Sequence, residues 1–251
     1  MPPIVSVSGL DFFYPRDPRR ALDSLSLEID GGVRCIVVGR NGAGKSTLLH
    51  VLAGRHLVPE ERVRVLGRPA FHDTTLAAEV TYLGGPFRFD VDIVVGDILA
   101  RTPGLDADRA GRLIRILDVD PAWHMHRVSD GQRRRVQILL GLLRPARLLL
   151  LDEVTTDLDL IARVDLLELL REETARGATI LYATHIFDAL EDWATHVAYL
   201  VRGRLARLQR LDELVDLAEL RRRGVASPLY RTIEGWFRAE MAAEAPGLIR
   251  R

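Results

Sequence analysis

The nine residues GRNGAGKST, from Gly39 to Thr47, decide the fold of this chain. An apolar run with strand character, residues 34–38, comes before them, and a run with helical spacing starts at Leu48. A strand, a glycine-rich loop and a helix in this order are typical of a P-loop, where backbone N–H groups turn toward the phosphates of a nucleotide. The sequence therefore predicts an α/β fold with a nucleotide site at this loop.

Two side chains of the loop are expected to act on the nucleotide directly. The ammonium of Lys45 would reach the β- and γ-phosphates, and the hydroxyl of Ser46 would hold Mg²⁺. Lys45 is the one lysine among the 35 basic residues of the chain. A slim ammonium fits beside phosphate in a tight loop. The loop residues expected to bind the nucleotide are Gly39, Arg40, Asn41, Gly42, Ala43, Gly44, Lys45, Ser46 and Thr47.

Composition limits the class of protein. The chain has 251 residues, 47% of them hydrophobic, which is enough for one globular unit with a buried core. Acidic and basic residues number 35 each, so no net charge attracts nucleic acid, and we expect no nucleic-acid partner. The single cysteine, Cys35, cannot form an internal disulfide, and the N-terminus lacks the pattern of a signal peptide, so we expect a cytoplasmic protein. The longest apolar region, residues 136–151, is interrupted and too short to span a bilayer, so we expect no direct membrane insertion.

Two carboxylates end a strongly apolar strand. Four leucines precede Asp152 and Glu153, as in a strand buried on both faces of a parallel sheet. Asp152 would ligate Mg²⁺ through water, and Glu153 would align and deprotonate the attacking water. The alternative is that the pair caps the next helix. A second apolar strand, residues 179–184, ends at His185, which we expect to point at the nucleotide, although a single histidine is more often a packing or surface residue.

The remaining pattern predicts further strands, a helical insert and a helical tail. Tyr14 lies in a turn-rich segment between the first two strands, where it either stacks on a base or packs against the protein. Ser129 is placed as the N-cap of a helix. Predicted strands cover residues 4–7, 25–29, 63–66, 79–83, 148–152, 179–184 and a pair within 197–205, and predicted helices cover 94–125, 129–143, 160–175 and most of 209–251.

These motifs, in this order, resemble those of the ATP-binding cassette (ABC) ATPases over roughly the first 205 residues. The resemblance implies a P-loop NTPase (RecA-like) core with an antiparallel β subdomain, an ATPase domain at residues 1–205 with a helical subdomain inserted at about 90–143, and a helical extension at 206–251. It also implies ATP and Mg²⁺ as ligands, and a homodimer in which the signature of one subunit closes on ATP held by the other. The implied roles are adenine stacking by Tyr14, Mg²⁺ ligation by Ser46 and Asp152, catalysis by Glu153 and His185, and further ATP contacts by the signature and D-loop residues Ser129, Asp130, Gly131, Gln132 and Asp159.

The chain departs from the family pattern at two motifs. Its signature has Val128 and Asp130 where the family has leucine and glycine. A carboxylate about 7 Å from the γ-phosphate would oppose it by about 2 kcal/mol, so we expect Asp130 to point away. The family's Q-loop glutamine is missing, because no glutamine precedes Gln132. Either a nearby carboxylate, Asp90 or Asp92, replaces it, or the relay to a membrane subunit is absent.

A narrower resemblance extends through the tail. The missing glutamine and the runs at residues 129–132, 152–159, 182–187 and 227–231 are similar to the soluble non-intrinsic ABC proteins of plants and to a fungal ABC protein associated with a transcription and mRNA-turnover complex. This implies an ATP-driven, dimerising regulator of an unidentified protein partner. Two alternatives stay open: the ATP-binding subunit of an ABC transporter with a separately encoded permease, and a scaffold that binds ATP but hardly hydrolyses it.

Overall fold

Two sheets organise the residues that the computed structural model describes, which are 2–15, 17–87 and 92–244. The larger sheet has six strands and the smaller one has four. In spatial order, the larger sheet consists of β10 (Arg204–Arg210), β9 (His196–Val201), β3 (Arg34–Val38), β8 (Thr179–Ala183), β7 (Leu148–Asp152) and β6 (Val80–Leu83). The smaller sheet consists of β2 (Arg20–Ile29), β1 (Val5–Phe13), β4 (Val63–Val65) and β5 (Arg68–Pro69).

The larger sheet is parallel except at one edge, where β10 pairs antiparallel with β9. Side chains alternate across its faces. In β3, Ile36 and Val38 pack into the hydrophobic cluster on one face, and Cys35 and Val37 pack into the cluster on the other. Every residue of β7 is buried, which explains its uninterrupted leucines. The predicted α/β P-loop fold is confirmed.

Seven α-helices pack around the sheets in the described residues. The predicted helices at 129–143 and 160–175 are confirmed. None of the helices in these ranges combines the length and the apolar composition that crossing a bilayer requires. The helices are α1 (Lys45–Leu52), α2 (Val95–Ala100), α3 (Ala107–Ile116), α4 (Asp130–Leu142), α5 (Leu160–Ala175), α6 (Val215–Arg222) and α7 (Pro228–Glu244).

The first strand is longer than its alternation predicts. The sequence predicts a turn-rich segment between residues 7 and 25, but β1 continues through Phe12 and Phe13 to pair with β2. The pairing register shifts between Val7 and Leu10, and Gly9 has a φ of 54°. An extra residue in a bulge breaks the two-residue periodicity while the strand goes on, so the sequence pattern ends too early.

The insert and the tail are less helical than predicted. α3 ends at Ile116, and the following segment forms turns that bond to the start of α2, so the helix predicted up to residue 125 is wrong in its second half. The tail begins with the end of β10, and helical structure resumes at Leu211. The predicted domain boundary after Leu205 therefore falls inside a strand, and the division into domains stays a prediction. Residues 245–251 of the tail lie outside the described residues.

Candidate functional site

β3 leads into the P-loop, where two glycines adopt a backbone that other residues avoid. Gly42 and Gly44 have φ values of 80° and 101°. A Cβ on Gly44 would lie 2.6 Å from the carbonyl oxygen of Ala21, and one on Gly39 would lie 2.5 Å from that of Leu200. The loop is thus confined between β2 and β9. Because α1 begins without a side-chain cap, its first N–H groups are left for an anion.

The side chain of Lys45 folds over this loop. Its Nζ donates to the carbonyl oxygens of Gly39 at 2.7 Å and of Arg40 at 3.3 Å. Burial lowers the pKa of Lys45, while the carboxylates of Glu153 and Asp152 act in the opposite direction. An ammonium has three donors, so one remains for a phosphate oxygen.

A cavity of about 780 Å³ lies in front of the loop. Loop residues 41–47 line it, and Tyr14 forms part of its wall, with its hydroxyl 3.1 Å from Oγ1 of Thr47. The side chain of Arg40 turns instead to the end of α7, where it pairs with Glu244 at 2.8 Å. Among the predicted loop residues, Gly39 and Arg40 therefore contribute their carbonyl groups to Lys45 rather than to the cavity lining.

The carboxyl ends of β7 and β8 bring the two predicted catalytic side chains together. Nδ1 of His185 lies 2.9 Å from Oε2 of Glu153. Glu153 has a φ of 52°, a left-handed backbone that costs about 1–3 kcal/mol in a residue with a side chain. A 2.9 Å hydrogen bond from its N–H to the carbonyl oxygen of Ala183 holds it there. Such strain clusters at functional positions.

Asp152 and Ser46 supply the oxygen donors that Mg²⁺ prefers. Both residues line the cavity in front of the P-loop, and both also line a second cavity of about 610 Å³ on the side of α4. Asp152 is 8% exposed, and its Oδ2 accepts a 3.1 Å hydrogen bond from the hydroxyl of Tyr82. A carboxylate and a hydroxyl on one wall, beside free N–H groups of a helix, fit a nucleotide that carries Mg²⁺.

The predicted signature residues lie at the start of α4. Ser129 is the N-cap and forms a capping box with Gln132, whose side chain accepts from the N–H of Ser129 at 2.9 Å. Asp130 lines the 610 Å³ cavity, and its orientation toward a nucleotide stays a prediction. Asp159 caps α5, so the alternative that the carboxylates at the end of β7 cap that helix is wrong. The described linings of the two cavities do not include Ser129, Gly131, Gln132 or Asp159.

The model of the family described as ABC transporter matches residues 22–156, which is more than half of the chain. The chain belongs to this ABC family. ABC transporter I family member 20 of Arabidopsis thaliana is 44% identical, over 96% of this chain and 77% of the plant protein. CCR4-associated factor 16 of Saccharomyces cerevisiae is 41% identical, over 86% of this chain and 82% of the yeast protein. The predicted resemblance to plant and fungal ABC proteins is confirmed.

Solved structures agree with this assignment. The ATP-binding subunit of an ABC transporter superposes with a TM-score of 0.73 at 25% identity, over 92% of this chain and 99% of that subunit. Members of the family bind ATP, so the cavity in front of the P-loop is the expected nucleotide site of this cassette.

The cassette has no room for a side chain at Gly84, in the segment where the Q-loop glutamine was expected. A Cβ there would lie 2.4 Å from the hydroxyl oxygen of Tyr82 and 2.6 Å from Cβ of Asp152. The Tyr82 hydroxyl fills this space, and it lies 2.9 Å from Nε2 of His50 as well as bonding to Asp152. This packing excludes a glutamine at Gly84, whereas at Gly85 a Cβ would meet nothing within 4 Å and only the φ of 68° disfavours a side chain.

Asp92, one of the two predicted replacements for that glutamine, lines neither cavity around Asp152. Asp92 accepts hydrogen bonds from Nδ1 of His124 and Nδ1 of His126, so its predicted role is wrong. The other candidate, Asp90, lies outside the described residues.

Two side chains of α4, which sequence reasoning missed, hold this part of the cassette. Arg134 donates to the carbonyl oxygens of Gly85 at 3.2 Å, Asp152 at 3.0 Å and Glu153 at 3.1 Å. Gln137, which is 9% exposed, accepts from Arg134 at 2.6 Å, and its Nε2 lies 3.3 Å from the carbonyl oxygen of Gly84. The available signal was their spacing, because two polar residues three apart share a helix face.

Proposed function

We propose that this ABC cassette is an ATPase that dimerises on ATP and regulates a protein partner. The observation that carries the proposal is the Glu153–His185 pair at the sheet edge, beside Asp152 and the P-loop. A general base, an orienting imidazole, a metal-ligating carboxylate and a phosphate loop are the parts that phosphoryl transfer to water requires. A scaffold that only bound ATP would need neither the base nor the imidazole.

Each residue then has a defined task. The P-loop N–H groups and Lys45 would bind the β- and γ-phosphates, and Ser46 and Asp152 would hold Mg²⁺. When bound, the ion would offset negative charge on the phosphate oxygens during transfer. Glu153 takes the proton of the attacking water, while His185 orients its carboxylate through the 2.9 Å contact. Tyr14, on the cavity wall, stacks on the adenine.

The position of the signature supports a homodimer. Ser129 is exposed, and the start of α4 is a helix N-terminus that favours a negatively charged ligand. Since Ser129 and Gln132 do not line the cavity of their own P-loop, the nucleotide that they would contact is the one held by a second subunit. Two such chains, arranged head to tail, would enclose two ATP molecules.

The packing beside Asp152 favours a regulator over the motor of a transporter. No side chain projects at Gly84, and Arg134 and Gln137 bind the segment at Gly84 and Gly85 to α4 of the same chain. A structural change beside Asp152 would therefore be transmitted to α4, which begins with the signature, and from there to the second subunit. A membrane subunit is not needed for this route.

The proposal is tested with Glu153→Gln, which removes the base and preserves the size of the side chain. Turnover should fall about 100-fold or more, and ATP should hold the variant as a dimer, measured by gel filtration with light scattering. Glu168→Gln, on the exposed face of α5, is the matched control and should keep wild-type turnover. Wild-type turnover as slow as that of Glu153→Gln would exclude the ATPase, and an unchanged mass with ATP would exclude the homodimer.

A second candidate function is the ATP-binding subunit of a transporter whose permease is a separate chain. The observation in its favour is the superposition on such a subunit at a TM-score of 0.73. Tagged Glu153→Gln, added with ATP to a lysate of the native cell, distinguishes the two. Sedimentation with an integral membrane protein of several spans would favour the transporter, and ATP-dependent retention of a soluble protein alone would favour the regulator.

A further inference from the structure

We propose that Asp92, His124 and His126 form a binding site for a divalent transition-metal ion, for which Zn²⁺ is the best match. The three side chains each offer one ligand atom, and these atoms all lie within 4.8 Å of one another. They belong to the helical insert, and none of the three lines either cavity around Asp152. The site is therefore distinct from the expected Mg²⁺ position.

The backbone holds the three residues in place. Val94 and His124 form an antiparallel bridge, and hydrogen bonds of 2.9 Å run from Val95 N to Trp123 O and from Met125 N to Ile93 O. Met125 is fully buried. The N–H of Arg127 donates to the carbonyl oxygen of His124 at 2.9 Å, so the chain turns directly after the bridge. This turn places the rings of His124 and His126 with their centroids 6.0 Å apart.

The donor atoms match a zinc site. Nδ1 of His124 lies 3.0 Å and 3.1 Å from the two oxygens of Asp92, and Nδ1 of His126 is hydrogen-bonded to the same carboxylate. Two imidazole nitrogens and one carboxylate oxygen are three of the four ligands of a tetrahedral Zn²⁺ site, with water as the fourth. Mg²⁺ and Ca²⁺ prefer all-oxygen sites, so the histidines select against them.

One neighbouring side chain competes with the ion. Nε of Arg127 donates to Nε2 of His126 at 3.2 Å, which leaves the imidazole proton on Nδ1. Metal binding at Nδ1 moves this proton to Nε2, so Arg127 must turn away. Arg127 is exposed and free to do so. Its removal is therefore expected to strengthen metal binding.

The position of the cluster gives the ion a structural task. Asp92 lies at the entrance of the segment that contains α2 and α3, and His126 lies at its exit, three residues before Ser129. An ion bound by both ends would close this segment into a loop directly ahead of the signature. Metal binding contributes directly to folding free energy when the ligands come from separate segments.

The test uses the full chain after removal of metal by a chelator, and no measurement of activity. Calorimetric titration with Zn²⁺ should show one site, and Co²⁺ should give the visible absorption of a tetrahedral complex. His124→Ala and His126→Ala should each weaken Zn²⁺ binding at least about tenfold, whereas His72→Ala, at an exposed position elsewhere, should not. Far-UV circular dichroism verifies that each variant is folded.

A second variant still tests Zn²⁺ binding if the alanine variants fold poorly. Arg127→Gln retains all three ligands and should bind Zn²⁺ more tightly than the wild type. The proposal is overturned if wild type and the double variant His124→Ala/His126→Ala bind Zn²⁺ equally, or if Arg127→Gln weakens binding. In either case Asp92 serves only as a hydrogen-bond acceptor for two histidines.

Discussion

The starts of α1 and α4 are both helix N-termini near Asp152 and Glu153, but only α4 has a side-chain cap. α1 follows Gly44 without a side-chain cap, so its N–H groups stay available. α4 follows Ser129, whose hydroxyl accepts from the N–H of Gln132 at 3.2 Å, while Gln132 bonds back to Ser129. The first helix start is prepared to bind phosphate by itself. The second already has internal partners, and a ligand must compete with them, which suits a contact made only when two subunits close.

The largest contrast between the two regions should appear in thiol chemistry. Burial raises the pKa of Cys35, in the strand before the P-loop, to about 12. Ser129→Cys would add an exposed thiol at a helix N-terminus, which lowers the pKa of a cysteine below its usual value of about 8.5. At pH 8, iodoacetamide should modify the introduced thiol about 1000-fold faster than Cys35, as measured by mass spectrometry of the digested protein. Similar rates in the folded chain would show that the P-loop strand is not buried, and both thiols should react in denaturant.

The buried thiol also sets a pH dependence. The folded-state pKa of Cys35 is raised, so between about pH 8.5 and 12 the unfolded chain holds fewer protons than the folded chain. The contribution of this group to the free energy of unfolding is therefore complete below pH 8.5 and falls as the pH rises through this interval. Urea titrations of wild type and Cys35→Ala at pH 8 and pH 10 check this, because the decline should be smaller in the variant.

Lys45→Ala should have the next largest effect, because α1 relies on backbone groups and this ammonium alone. Losing a charged contact worth about 3 kcal/mol corresponds to about 100-fold weaker ATP binding. Equilibrium binding of a fluorescent ATP analogue measures it. Arg64→Ala, on β4, is the control for loss of a cation and should bind as wild type does. A similar loss in both variants would mean that net charge, rather than the loop, governs affinity.

Arg134→Ala should act on turnover rather than on affinity. The side chain bonds to backbone carbonyls at the end of β7, so its loss would let Glu153 shift without disturbing the P-loop. We expect kcat to fall about tenfold, with ATP affinity changed less than about threefold. Arg134→Lys should not restore the rate, because a single ammonium cannot replace the planar fork. Arg144→Ala, just beyond α4, is the matched control, and an equal loss of kcat there would point to general destabilisation.

Gln137→Ala should give the smallest of these effects. Its amide connects Arg134 to the segment at Gly84. The variant therefore keeps the hydrogen bonds from Arg134 to the carbonyl oxygens at the end of β7 and loses only the contacts of Gln137. We expect kcat to fall about threefold, roughly the factor for one weak hydrogen bond. Gln209→Ala, exposed on β10, should leave kcat unchanged. A loss larger than that of Arg134→Ala would mean that Gln137 acts on the nucleotide directly.

Local patterns in the sequence predicted the core of the fold well. The P-loop, β7 and β8 each carry their signal within a few residues, because glycine positions and continuous apolar runs report directly on backbone shape and burial. The turns after α3 and the bulge at Gly9 were missed, since there the chain follows contacts with distant segments. The helix predicted through residue 125 fails because that stretch bonds to the start of α2.

The candidate site was predictable to the extent that motifs define it. Asp152, Glu153 and His185 were placed by the ends of their strands, whereas the contacts of Arg134 and Asp92 depend on tertiary structure. Asp92 lies near the expected Q-loop in sequence, yet it pairs with histidines more than thirty residues away. The position of Asp92 in the sequence could not show that it lies beside these histidines rather than beside Asp152.

The location of β3 also determines when this protein can begin to work during its synthesis. Gly32 and Arg34, at the start of β3, donate to the hydroxyls of Thr179 and Thr195, which follow them by 147 and 161 positions. Both neighbours of the P-loop strand are therefore made long after it. At about 5–20 residues per second, the ribosome needs roughly 10 to 30 s to supply them. During this wait an apolar strand has no sheet to join, so the nascent chain is exposed to aggregation, and nucleotide can be held only after the two late strands emerge.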